Sequence, residues 1–229
     1  MFKLFIKKIL LFRLVFFKKI NKNFYSQFGE DKILNELIPN NFTNGLYVDV
    51  GCFHPKKYSN TYMLFRRGWR VINIDMEKNK IASFNLARPN DYNFLGAISD
   101  KIEKVKIYRN QKFGVSSTIN EKFIKNEDII DVDYIQTTTL NSVLENSPFK
   151  KKKIDFLNID TEGNDLKVLK SLNFDIYDPS IVIIETHLKK IYLIIKSEIY
   201  LFLINKKYIL KSWNFYSLIF IKENYYENN

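Results

Sequence analysis

Leu46-Tyr47-Val48-Asp49-Val50-Gly51 is an apolar run that ends in a carboxylate and a glycine, and a second apolar run closes on Asp75. Two such strands with a helix-length stretch between them constrain the chain to an open α/β sheet built from parallel crossovers. In that arrangement the glycine lets backbone approach a ligand, and the second-strand carboxylate accepts hydrogen bonds from both hydroxyls of a ribose. The pattern therefore points to a nucleoside site at the carboxyl edge of the sheet. Phe53 stands where a second glycine of the dinucleotide fingerprint would be, so no pyrophosphate cradle is indicated.

S-adenosylmethionine is a nucleoside ligand without a diphosphate. On this reading Asp49 takes its ammonium, the backbone after Gly51 at Cys52 takes its carboxylate, and Asp75 takes the ribose. Met76 and the Ala97-Ile98-Ser99-Asp100 corner flank the adenine. The competing reading is that Asp49 and Asp75 only cap turns.

From Phe24 onward apolar runs of strand and helix period alternate, which predicts a largely parallel sheet with helices on both faces. Strands are expected at Leu46–Val50, Val71–Asp75, Asn93–Ile98, Val105–Tyr108, near Tyr134–Thr138, at Ile154–Ile159 and at Ile181–Glu185. Helices are expected at Asp31–Leu37, Thr61–Arg67 closed by Gly68, Lys78–Ala87, after Thr139 as N-cap, at Asp165–Leu172 and at Leu193–Ile204. Gly114–Thr118 reads as a loop. Tyr208–Trp213 and Tyr216–Lys222 read as an antiparallel hairpin joined through Asn214.

The 229 residues suffice for one sizeable α/β domain with appendages. The single cysteine, Cys52, excludes an internal disulfide and a cysteine-based zinc site. The net charge of +11 is unevenly placed, because residues 1–23 carry Lys3, Lys7, Lys8, Arg13, Lys18, Lys19 and Lys22 with no acid. On a helical wheel these cations share one side, Arg13 excepted, opposite Phe2, Phe5, Ile6, Ile9, Leu10, Phe12, Val15, Phe16 and Ile20. The apolar runs are far below the roughly 20 residues of a membrane span, and no small-residue cleavage site follows. Residues 1–23 are read as a basic amphipathic helix for an anionic membrane surface, with packing on the domain or a partner as the alternative. The domain, residues 24–229, is only mildly basic. Its lysine run at Lys150–Lys153 is a loop rather than a nucleic-acid stripe, so no nucleic-acid partner is expected.

Four separate stretches carry a resemblance: Tyr25-Ser26-Gln27-Phe28-Gly29-Glu30-Asp31, Asp49-Val50-Gly51-Cys52-Phe53-His54-Pro55, Ser59-Asn60-Thr61-Tyr62 and Asp160-Thr161-Glu162-Gly163-Asn164-Asp165. In this order they resemble the FkbM family of methyltransferases over roughly residues 24–185. Cys52 departs from the alanine more usual there, and the basic N-terminal segment is outside the family pattern. The resemblance implies a seven-stranded Rossmann-like fold, S-adenosylmethionine as cofactor, and methyl transfer to a hydroxyl oxygen, often on a sugar or polyketide. It places Asp160 and Glu162 at the end of the fourth strand beside the transferring methyl group.

Methylating a neutral hydroxyl requires loss of its proton, so a carboxylate in hydrogen-bond reach suits a base or an orienting group. The competing readings, weighed below this one, are that Asp160 and Glu162 hold a divalent cation with substrate oxygens or cap the turn. No metal ligand set is assigned. His54 and His187, the two histidines, each follow a strand end, and either could be the base; His54 is the stronger candidate, although His54-Pro55 could form a turn and His187 could pair with Glu185. Gln27 precedes the first strand in a segment able to fold over the cofactor. Asn60 and Thr61 could cap a crossover helix aimed at the cofactor's carboxylate.

The expected activity is S-adenosylmethionine-dependent O-methyl transfer to a saccharide or glycolipid-type acceptor, in the cytoplasm or on the inner membrane face. A catalytically inactive methyltransferase-fold scaffold in a membrane-associated glycan assembly complex is the alternative. A nicotinamide-dependent oxidoreductase is disfavoured by the missing glycines.

Overall fold

The computed structural model describes residues 24–109, 117–124, 129 and 131–227. The helix expected over residues 1–23, and residues 114–116 of the expected Gly/Ser loop, lie outside the described residues.

In chain order, α1 (Glu30–Leu37) leads into β1 (Leu46–Val50), α2 (Tyr62–Arg66), β2 (Arg70–Asp75), α3 (Lys78–Ala87) and β3 (Tyr92–Leu95). Then follow β4 (Ala97–Ile98), β5 (Lys104–Arg109), β6 (Ser117–Thr118), β7 (Asp131–Thr138) and α4 (Leu140–Glu145). The last part is β8 (Phe156–Ile159), α5 (Asp165–Lys170), α6 (Phe174–Tyr177), β9 (Ile181–Glu185), α7 (Ile191–Ile194), α8 (Glu198–Asn205), β10 (Tyr208–Asn214) and β11 (Ser217–Lys222).

Seven strands form the main sheet in the order β10-β11-β9-β8-β1-β2-β3. Every pairing is parallel except those of β11 with β9 and with β10, so the expected closing hairpin forms. The chain runs outward from β1 to β2 and β3, then returns to place β8 on the other side of β1. At that reversal the carboxyl ends of the strands open a crevice, the usual ligand position in such sheets.

All residues of β1 and β8 are buried, as a strand covered on both faces requires. Leu46, Val48 and Val50 pack with Leu140 and Val143 of α4 and Val168 of α5. Tyr47, pointing the other way, packs with Leu34 of α1 and Leu64 of α2. Fully buried side chains of this kind stabilise the fold by about 1.5–3 kcal/mol each.

Three expectations need correction. The strand expected over Asn93–Ile98 breaks at Gly96, whose amide donates to the Asp75 carbonyl at 3.0 Å. A Cβ there would meet the Phe94 ring at 2.5 Å. The chain leaves the main sheet at this point, and β4 pairs with β7 in a second, four-stranded sheet of order β4-β7-β5-β6. The helix expected over Leu193–Ile204 is two helices, because the Ser197 hydroxyl accepts from the Tyr200 amide and starts α8 afresh. The crossover helix α2 takes its cap from neither Asn60 nor Thr61 by side chain; the Ser59 hydroxyl accepts from the Tyr62 amide at 3.1 Å instead. Thr139 caps α4 as expected, its hydroxyl accepting from the Ser142 amide.

Candidate active site

The crevice starts at Gly51. Its backbone is left-handed, with φ 85°, and its amide donates to the Ile74 carbonyl at 2.8 Å. A Cβ on this residue would lie 1.6 Å from the Asp160 carbonyl oxygen. Only glycine lets the ends of β1, β2 and β8 converge so closely.

A cavity of about 310 Å³ opens at this convergence. Gly51, Asp75 and Met76 line one part of it, Asp160, Thr161 and Glu162 another, and Gln27 reaches it from the segment before α1. That segment is fastened by Asp31, whose carboxylate accepts from the Tyr25 amide and the Ser26 hydroxyl, each at 2.7 Å. Eight of the sequence-predicted residues therefore meet at one cavity: Gln27, Gly51, Asp75, Met76, Ala97, Ile98, Asp160 and Glu162.

Asp49, Cys52, His54, Asn60 and Ser99 lie outside its lining. Asp49 is buried behind the crevice, where one carboxylate oxygen accepts from the Thr61 hydroxyl and the other from the Asn158 amide, both at 2.9 Å. Asn60 donates to the Asn158 side chain and completes the same network. Cys52 is packed with Ile81 and Phe84. Ser99 is buried at the end of β4, its amide donating to Thr138. His54 is exposed, and its Nδ1 accepts from the amides of Lys56 and Lys57, so the imidazole closes a turn.

Asp75 faces the cavity with both oxygens engaged, by the Glu77 amide at 2.7 Å and the Lys80 ammonium at 3.1 Å. Burial pushes its carboxyl up to about 6, against the pull of Lys80.

The opposite part of the cavity is acidic. β8 and β9 are in register up to Ile159 beside Ile184, so Asp160 and Glu185 follow side by side. Glu162 has φ 52°, a left-handed turn continued by Gly163 at φ 92°. Asp165 holds this turn by accepting from the amides of Thr161 and Gly163. From outside, the Thr118 hydroxyl donates to the Glu162 carbonyl and the Asn120 amide to the Gly163 carbonyl. Burial, then the charges of Glu185, Asp165 and Glu162, push the Asp160 carboxyl well up. Burial, with Asp165 and Glu162, pushes Glu185 up to about 8. Among the described residues, no ion pair brings a lysine or arginine to Asp160, Glu162 or Glu185.

The family model described as the Methyltransferase FkbM domain matches residues 49–210. The chain belongs to the FkbM methyltransferase family. Among solved structures it is similar to the methyltransferase FkbM from Methylobacillus flagellatus KT, with 14% identity and a TM-score of 0.50 over 78% of this chain. This chain spans 44% of that protein's length. A TehB-like SAM-dependent methyltransferase from Corynebacterium glutamicum ATCC 13032 Kitasato is 11% identical, with a TM-score of 0.42 over 85% of this chain and 88% of its own. No curated protein gives a significant match.

This FkbM-family site also contains residues that sequence reasoning missed. Lys80, in the first turn of α3, lines the cavity and pairs with Asp75; a lysine there reads in sequence as a solvated helix residue. Ser117 and Ile119 reach the cavity from the second sheet, and Asn164 reaches it while donating to the Ile98 carbonyl. The second sheet is tied down through Glu77, which accepts from Arg109 and Ser117, each at 2.8 Å. No local signal marks these residues, because the sequence separations are large.

Proposed function

We propose that the protein transfers a methyl group from S-adenosylmethionine to a hydroxyl oxygen of a saccharide or glycolipid-type acceptor. The observation that carries this reading is a single cavity lined by Gly51, Asp75 and Met76 and also by Asp160, Thr161 and Glu162. A nucleoside held by the first group has its reactive end toward the second.

In this reading Asp75 accepts from the ribose hydroxyls and Met76 flanks the adenine. Gly51 and Cys52 offer backbone to the cofactor's amino-acid end, and Gln27 covers it. Asp49, Asn60 and Ser99 are positioning residues that hold the crevice from behind, and His54 shapes its rim. The acceptor oxygen attacks the sulfonium methyl carbon in line with the breaking C–S bond. The C–O bond forms, the C–S electron pair goes to sulfur to give neutral S-adenosylhomocysteine, and the hydroxyl proton leaves. Asp160 is open to the cavity but set among other acids that hold it toward its protonated form, so the half-buried Glu162 is the group to take that proton.

Among the described residues no helix is long and apolar enough to cross a membrane. We place the protein in the cytoplasm, with residues 1–23 providing peripheral contact to an anionic membrane face.

Calorimetry with S-adenosylmethionine tests the proposal. Saturable heat that Asp75→Asn abolishes is expected, together with methyl transfer to glycan acceptors; absence of heat with the intact chain would leave an inactive scaffold.

A further inference from the structure

We propose that Glu162, Glu185 and His187 form a binding site for a divalent cation of the Mn²⁺ class, next to the acceptor end of the cavity. One donor atom from each residue lies within 4.8 Å of the others. A cation holding each donor at about 2.2 Å spaces neighbouring donors about 3.1 Å and opposite ones about 4.4 Å apart, so the three side chains draw in by up to about an ångström to complete the set.

The three residues come from two adjacent strand ends. Glu185 closes β9, His187 follows two positions later, and Glu162 is turned back toward them by its left-handed backbone. His187 Nε2 lies 3.3 Å from Glu185 Oε1. Its ring is fixed against Phe123 at 4.8 Å and Tyr216 at 5.5 Å between centroids. Thus the imidazole is held in place without being enclosed, since its side chain is 43% exposed.

A second observation points to a cation. Glu185 Oε2 is buried without a hydrogen-bond partner. A buried, unpartnered carboxylate oxygen costs about 1–3 kcal/mol or more, and among the described residues no lysine or arginine pairs with Asp160, Glu162 or Glu185. A dication satisfies the orphan oxygen and offsets the negative charge.

Two carboxylates with one imidazole and no thiolate suit a cation between the hard and borderline classes, which is Mn²⁺ or, more weakly, Mg²⁺. Three protein ligands leave coordination positions open. Resting on the proposed methyl transfer, these positions would take an acceptor hydroxyl and a neighbouring oxygen, making a vicinal diol the favoured acceptor class.

Electron paramagnetic resonance on the full chain with MnCl₂ tests the site. The free Mn²⁺ signal should fall with one equivalent of protein, and pulsed measurements should show ¹⁴N coupling from a coordinated imidazole. His187→Ala should remove the ¹⁴N coupling and weaken binding at least about tenfold, and Glu185→Gln should weaken it similarly. His187 is exposed enough to be replaced without unfolding the chain. Failure of the intact protein to take up Mn²⁺ at millimolar concentration, or ¹⁴N coupling that persists in His187→Ala, overturns the proposal. Calorimetry with S-adenosylmethionine on the same samples keeps the two readings apart: Mn²⁺ bound without cofactor heat sinks the methyl-transfer reading and leaves the cation site standing.

Discussion

The two parts of the crevice treat their carboxylates differently. At the ends of β1 and β2, Asp49 is answered by Thr61 and Asn158, and Asp75 by Lys80 and the Glu77 amide. At the ends of β8 and β9, Asp160, Glu162 and Glu185 face one another, and among the described residues the only ion-pair contact to any of them is from a histidine, His187 to Glu185. The first part is a finished receptor whose acids are bonded and oriented before any ligand arrives. The second is a cluster in which burial and neighbouring acids push the Asp160 and Glu185 carboxyls up, and no lysine or arginine among the described residues answers them. Preorganisation suits binding, while an unsatisfied, proton-holding cluster suits chemistry.

Gly51→Ala should produce the largest effect, because it strikes where the two parts meet. The added Cβ would collide with the Asp160 backbone while the φ of 85° disfavours any side chain. A loss of stability on the order of 4 kcal/mol or more is expected in urea unfolding, with cofactor binding abolished. A variant that folds and binds normally would mean that the strand ends are not this close. Glu162→Gln tests the second part alone: cofactor affinity should hold while turnover falls by about 10²-fold or more, read from single-turnover rates. Equal losses in both would show that the division between binding and chemistry is drawn in the wrong place.

The contrast also bears on what the sequence discloses. Asp75 is legible because a carboxylate closes an apolar run at the right spacing from a glycine turn, and Gly51 and Met76 follow from the same strand-end logic, whereas Asp160 and Glu162 are placed by the family resemblance. Lys80 is not legible, because its pairing depends on where the first turn of α3 sits above Asp75. Glu185 and His187 are close in sequence, yet their convergence with Glu162 needs the β8–β9 register and a left-handed residue that no pattern announces. His54 is legible both as a titratable group and, with Pro55, as a turn-former, and the amides two and three residues later decide for the turn. The break at Gly96 is hidden for a related reason: the apolar pattern continues through it, and only the choice of partner strand changes.

The state of Asp75 predicts a pH dependence confined to the binding half. Its folded value of about 6 lies above the ordinary 3.8, so the folded chain holds this proton more tightly than the unfolded chain. Ionising it therefore costs stability, progressively as pH rises from about 3.8 to about 6 and amounting to about 3 kcal/mol above that window. Ribose recognition wants the ionised form. Affinity for S-adenosylmethionine should be flat above pH 6 and fall toward about tenfold per pH unit below it, and Asp75→Asn should flatten the profile. A profile unchanged down to pH 5 would remove Asp75 from ribose binding.

The smallest effect belongs to the support behind the site. Thr61 is fully buried and its hydroxyl donates to Asp49. Thr61→Val keeps shape and removes that bond, leaving a buried carboxylate oxygen unanswered, which costs about 1–3 kcal/mol. Burial already raises the Asp49 carboxyl above its usual value, while Thr61 and Asn158 pull it back, so losing Thr61 raises it further. A protonated Asp49 needs the bond less. The destabilisation should therefore be larger in urea titrations at pH 8 than at pH 5, whereas a loss of shape alone would give no such difference. Cofactor affinity should change no more than a few-fold, because Asp49 stands outside the cavity lining. If affinity collapsed while stability held, Asp49 would be a cofactor ligand after all, and the finished half of the crevice would extend one residue deeper than its walls indicate.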